Sequence, residues 1–412
     1  NSGEITSDNT YLFASTAAKG ALTNTGTLRT ARGELKSLQL INNHHIEHQS
    51  TLLQDTQLEN GGSLDLGRLT LKDSQIDNQG RLKVQPVSLL DMKEQPCLHN
   101  QGELITQFVD AKDPGYLSQH FILANLLTNR GTLTIDGDYQ PTVLRVRTKN
   151  YNNPIGAGQG QLVIKGSLII PVSKLRTLKF FKSNAIEIDQ LTLEGEGKKW
   201  MVKGNRDWHF AKAFQFRNAQ SFIFAGDIRL NAVSFKDVGH LWIKKLFQVT
   251  EGDFRTSSIT EFQVGVDNDH MGELCIEQGE MDVKVKDAVD LRYAKVQAQG
   301  KVEIESLNKT VEFGEKVIVP ASEVAQKIST TPSDFLGRAV FGSHTHTTEF
   351  YLPNASCLRS ETNRLVLKAK ERIEGQFGSL FAAQGAYLKA DDINLLNVTS
   401  VLLGDSTIEA NS

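Results

Sequence analysis

Apolar residues in this chain alternate with polar ones in short runs. In "GSLDLGRLTLKDSQI" the apolar positions Leu64, Leu66, Leu69, Leu71 and Ile76 fall mostly two apart, with glycine or polar pairs breaking the alternation. A spacing of two places side chains on one face of a strand, whereas a helix would repeat them at three and four. The same pairing recurs downstream at Leu191/Leu193, Phe214/Phe216, Phe222/Phe224, Ile228/Leu230, Leu274/Ile276, Val283/Val285 and Val302/Ile304. The pattern predicts strands of about three to five residues with Gly, Asn or Asp at the corners, and almost no helix.

A second periodicity lies over the first. The motif Leu-x-Asn-x-Gly-x-Leu stands at Leu22–Leu28, Leu58–Leu64, Leu98–Leu104 and Leu127–Leu133, with variants at Leu40–Ile46 and Ile76–Leu82. Counted from Asn24, its asparagines Asn42, Asn60, Asn78, Asn100 and Asn129 follow at steps of 18, 18, 18, 22 and 29. A fixed period with insertions is the signature of a solenoid. The fold expected is all-β: a right-handed parallel β-helix whose coils stack at about 4.8 Å, with short strands and loop insertions. In that fold Asn24, Asn42, Asn60, Asn78, Asn100 and Asn129 form a structural corner ladder, their side-chain amides bonding from coil to coil. Glycine is expected at the bends to supply positive φ. At about 18 to 24 residues per coil the chain would make on the order of 17 to 20 coils.

These Asn-x-Gly-x-Leu corners, with looser downstream lines such as "FAAQGAYLKADDINLLNVTSVLLGD" from Phe381 to Asp405, resemble the filamentous-haemagglutinin-like proteins. That family includes the two-partner-secreted exoproteins and contact-dependent-inhibition toxins of Gram-negative bacteria. The motif match covers residues 1–135 and is stylistic from about residue 160 onward. The resemblance implies a secreted or bacterial cell-surface location, with any targeting signal outside this segment, and an outer-membrane transporter as partner during export.

Residues 1–138 read as regular β-helix, 139–160 as a loop or seam, 161–319 as a looser, more aromatic β-helix, 320–362 as a projecting insertion, and 363–412 as continuing β-helix. The opening Asn1-Ser2-Gly3-Glu4-Ile5 is itself a copy of the motif, so the chain is expected to be a fragment of a larger protein.

Composition narrows the function classes. With 412 residues, 39% hydrophobic content and a formal net charge of -3, the chain can bury a large core and carries no general basic character for nucleic acid or anionic membranes. A local basic patch is left open by that balance. No apolar run approaches the roughly 20 residues of a membrane-spanning helix. Cys97, Cys275 and Cys357 are widely separated and lack a Cys-x-x-Cys spacing, so they read as small buried hydrophobes or incidental thiols.

Candidate chemistry is sparse. His44, His45 and His48 cluster in sequence, but strand alternation turns them apart; His344 and His346 share a strand face with no third ligand in view. Asp267 to Glu273, "DNDHMGE", spaces carboxylates like a calcium loop, but Gln278 stands where a bidentate Glu is needed. Trp200, Trp208 and Trp242 are candidates to line a sugar groove. Asp189, Asp207, Asp227 and Asp237 are candidate carboxylates without a spacing that stacks them. No catalytic residue, metal ligand or cofactor is assigned.

The function expected is a non-enzymatic stalk or adhesive segment of a large exoprotein. It would contact a host or neighbouring-cell surface protein or glycan, or present a toxin domain outside this segment. Two alternatives stay open: a polysaccharide lyase or hydrolase built on the β-helix, and a partner-binding module of an intracellularly acting toxin or effector. A carboxylate cluster on one solenoid face beside a groove would favour the enzyme; flat faces with scattered charges would favour the stalk.

Overall fold

The computed structural model describes residues 1–13, 20–84, 87–89, 98–107, 127–136, 161–174, 185–319, 350–353 and 356–411. They form a parallel β-solenoid, of about 13 turns in its two compact units together. That is fewer coils than the length suggests, because some are much longer than 24 residues: Val311 is followed in its column by Ile373. The units divide at Leu193/Glu194, with Phe210–Lys212 belonging to the first. The segments 139–160 and 320–349, like His344, His346 and Cys97, lie outside the described residues.

In unit 1 the six strands Gly20–Asn24, Leu38–Asn42, Gln57–Asn60, Gln75–Asn78, Leu98–Asn100 and Leu127–Asn129 make one parallel sheet. After each corner the chain runs into a second wall. There the ten-residue strands Glu4–Phe13, Thr27–Lys36 and His45–Gln54 stack in register. The next coil splits this long strand into Ser63–Asp65 and Arg68–Lys72, with Gly67 at φ 52° between them. Alternate residues point inward, so Leu28, Ile46, Leu64, Leu82 and Leu104 fill one column of the core.

The corners work differently from the expectation. None of the motif glycines has positive φ; among the described residues of unit 1 the non-glycine left-handed positions are Ser37, Asp55 and Asp73, which recur at the same period just before the strands of the six-stranded sheet. Glycine is needed in the motif because the coils approach too closely there for a side chain. A Cβ at Gly26 would sit 2.1 Å from the Gly3 carbonyl oxygen, at Gly62 2.2 Å from that of His44, and at Gly80 2.1 Å from that of Gly62.

Unit 2 has three walls per coil. One coil consists of Leu246–Val249, Phe254–Ser257 and Glu261–Val264, and the next of Gly272–Ile276, Met281–Val285 and Val289–Leu291. Each strand pairs in parallel with its counterpart in the following coil. The inward columns carry phenylalanine, and Phe214, Phe216, Phe222, Phe224, Phe235, Phe247, Phe254 and Phe262 are fully buried. Their rings touch from coil to coil, as in the stacked pair Phe216/Phe235 at 5.0 Å and the edge-on pair Phe224/Phe247 at 5.0 Å. In the next coil the same columns turn aliphatic, with Leu274 after Phe247, Met281 after Phe254 and Val289 after Phe262, so one alternation is satisfied with different volumes. Among the described residues, Lys316–Val319 and Phe350–Pro353 pair antiparallel.

Candidate interaction face

Side chains that leave the core of a parallel solenoid line up in columns, one residue per coil, so the exterior is best read column by column. Inside unit 1 the same logic builds the asparagine column. Asn24, Asn42, Asn60, Asn78 and Asn100 are buried. Each Nδ2 donates to the next Oδ1, at 2.8, 2.8, 2.6 and 2.7 Å. Asn1 adds a rung by donating to Asn24 Oδ1 at 3.0 Å. Asn129 continues the register by its backbone. Asn24, Asn60, Asn78 and Asn100 also donate to the carbonyl two residues on, which closes each bend.

The histidines do not converge. His44 is exposed at the bend, His45 is half-buried with Nε2 3.6 Å from Glu47, and His48 is buried. Thr51 donates its hydroxyl proton to the Leu66 carbonyl at 2.9 Å, so the 3.1 Å contact between Thr51 Oγ1 and His48 Nδ1 has the imidazole as donor. That assigns the Nδ1–H tautomer and leaves Nε2 buried without a protein partner. Burial pushes the His48 imidazole down to about 4.

The three tryptophans are also dispersed. Trp200 stands in an inward column with Phe222 and Leu241, and its indole donates to the Gly195 carbonyl. Trp208 packs on the core rings of Phe214 and Phe216 at 6.1 and 6.3 Å. Trp242 alone among them points outward; His240 stacks on it at 5.8 Å, and the Lys244 ammonium lies 3.7 Å from its ring centroid. These contacts occupy the faces on which a sugar would stack.

The Asp267 loop is closed on itself. Asp267 Oδ1 accepts from the Asp269 and His270 backbone amides at 3.0 and 2.8 Å and contacts His270 Nδ1 at 2.8 Å. Among the described residues no group of three or more His, Cys, Asp and Glu side chains is placed to hold a metal. Asp189 pairs with Lys212 and Asp207 with His209, Asp227 has no cation partner among the described residues, and Asp237 occupies a left-handed corner at φ 54°. Cys275 and Cys357 are free, and burial raises both thiols above their usual range.

One wall of unit 2 brings together residues that the linear sequence keeps apart. Its outward column runs Met201, Ile223, Trp242, Gln263, Asp290, Glu312 and Glu374. The first three are apolar and the last three acidic. Arg292 binds Asp290 through two bonds of 3.0 and 2.9 Å and reaches Glu312 at 3.4 Å and Glu315 at 3.6 Å. Burial pushes the Glu312 carboxyl up; Arg292 opposes this, and the carboxylates of Asp290 and Glu374 add to it. On an adjacent wall, burial disfavours the Glu303 carboxylate, yet Lys301 and Lys368 together hold it down at about 2.

No family model, no curated protein and no solved structure matches this chain.

Proposed function

We propose that this chain is a non-enzymatic β-helical stalk or adhesive segment of a large secreted or surface-displayed bacterial exoprotein. The observation that carries the reading is the repeated use of outward positions for ion pairs between coils. Arg29 reaches both Glu4 and Glu47, Lys83 reaches Asp65, Arg81 reaches Glu103, Lys368 reaches Glu303, and Arg372 reaches Asp392. Such a surface reinforces stacking along the coil axis, as a spacer requires. The asparagine column does the same inside. Contact with a host or neighbouring-cell surface protein or glycan, or presentation of a toxin domain, is the role that suits such a segment.

The acidic column favours a second reading, polysaccharide cleavage. Asp290, Glu312 and Glu374 stand on successive coils, and a carboxyl raised by burial beside ionised neighbours is the arrangement an acid–base pair uses. Arg292 and Arg372 hold these carboxylates in ion pairs, which supports the structural role.

The two readings separate in one experiment. Fluorescently labelled chain is incubated with intact cells, and unlabelled chain with neutral and acidic polysaccharides whose length is followed. The stalk reading expects saturable cell binding and unchanged polymer length. Polymer cleavage that Glu312→Gln abolishes would overturn it in favour of the enzyme.

A further inference from the structure

Met201, Ile223 and Trp242 occupy one outward column on three successive coils of unit 2. Met201 is 47% exposed, and Ile223 and Trp242 are half-buried. The Trp242 Nε1–H donates to the Gly265 carbonyl at 2.8 Å, so the exposed rim of the indole offers no donor to a sugar or a peptide. Four lysines border the column. Lys199 shares the outward side of the Met201 strand, Lys203 follows at its corner, and Lys244 and Lys245 hold the equivalent corner after Trp242.

These lysines are not neutralised in ion pairs, as many cations of the unit are; among the described residues Lys236 and Lys286 are likewise unpaired but lie outside this column. Arg217, Arg255, Arg292, Lys368 and Lys389 each lie within ion-pair distance of a carboxylate. Among the described residues no carboxylate pairs with Lys199, Lys203, Lys244 or Lys245. The column turns acidic only at Asp290, with Gln263 between it and Trp242. The result is an apolar centre bordered by four unpaired lysines, with the single carboxylate of Glu261 beside His240 on the next coil.

We propose that this patch docks on an anionic lipid surface. Lysines at the level of the phosphates are drawn by the negative surface potential, and an indole, a thioether and a branched aliphatic side chain are suited to the boundary between head groups and acyl chains. A sulfated glycan would use the lysines but leave the apolar centre without a partner. The inference goes beyond the stalk reading and does not depend on it.

The test is co-sedimentation of the full chain with vesicles of phosphatidylcholine alone and of phosphatidylcholine with phosphatidylserine. Binding is expected only to the anionic vesicles, and it should weaken about tenfold or more in K203E/K244E and in Met201→Asp. A control pair on another part of the unit, K236E/K286E, should bind at least threefold better than K203E/K244E. Circular dichroism checks that each variant is folded. The proposal is overturned if folded wild type ignores the anionic vesicles, if the patch variants bind as wild type does, or if dextran sulfate is bound and the vesicles are not. Vesicle binding lost with cell adhesion intact would remove this site and leave the stalk reading; the reverse would do the opposite.

Discussion

The backbone amide of His45 reaches the Gly26 carbonyl at 3.4 Å, whereas the equivalent bonds at the other bends, from Thr27, Ser63, Arg81, Glu103 and Thr132, measure 2.6 to 2.9 Å. His44 explains the difference: it stands where the other bends carry glycine, and its Cβ holds the bend away from the coil beneath. Asn42, the ladder residue of that bend, bonds onward to the Ser63 carbonyl and makes no bond to the His44 carbonyl. A His44→Gly variant should therefore let the bend close, and the His45 amide should exchange with deuterium more slowly than in wild type.

The converse substitution tests the same contact. At Gly80 a Cβ would lie 2.1 Å from the Gly62 carbonyl oxygen, and its nearest neighbours are all backbone atoms of Gly61 and Gly62. Gly80→Ala should destabilise unit 1 by about 2 to 4 kcal/mol, within the range of severe steric changes. The urea midpoint measures it, and a shift below about 0.5 kcal/mol would show that the coils separate at little cost.

Asn60 accepts from Asn42 and donates to Asn78 and to the carbonyls of Gly62 and Arg81. Asn60→Ala strands a buried donor on one neighbour and a buried acceptor on the other. A loss of about 3 kcal/mol is expected, since each unsatisfied buried group costs about 1 to 3 kcal/mol. Asn60→Asp, which keeps the shape but loses the donors, should be no better.

His48 makes unit 1 sensitive to acid. Its folded pKa of about 4 lies below the ordinary value of 6.5, so the unfolded chain binds the proton more readily between these values. Stability should be fully present above about pH 6.5 and fall as pH drops towards 4, by up to about 3 kcal/mol. The groups facing the ring, Thr30, Gly33, Thr51 and Leu66, are uncharged and offer no compensation. His48→Gln should flatten the dependence of urea midpoint on pH in this window; an unchanged slope would assign it to other groups.

Asp73 has φ 46° and an exposed side chain. Glycine adopts this conformation without strain, so Asp73→Gly should raise the stability of unit 1 by up to about 1 kcal/mol. Thermal unfolding is the measurement, and a lower midpoint would mean that the carboxylate contributes more than the strain costs.

Much of unit 1 was legible because its signals are local. Alternation of two gave strand, and an asparagine every eighteen residues gave a coil in which Asn24, Asn42, Asn60 and Asn78 share a column. The reason for glycine was not legible, since a bend needing positive φ and a bend pressed against the coil beneath both select it. The true left-handed corners, Ser37, Asp55 and Asp73, have the same period but use ordinary polar residues, so nothing set them apart. In unit 2 the exterior was hidden for another reason. Trp242 neighbours Ile223 and Met201, and Glu312 neighbours Asp290 and Glu374, through coils of unequal length; only the register brings them together.

The asparagine column also has a polarity. From Asn1 to Asn78 each side chain gives an amide proton to the asparagine of the later coil, and from Asn24 to Asn100 each takes one from the earlier. A nascent stack that has reached Asn60 therefore ends in an unanswered donor, which the carbonyl oxygen of the next asparagine fills. The arrangement acts as a one-way ratchet: each finished turn selects the phase of its successor, so a chain delivered amino-terminus first can wind without searching among registers.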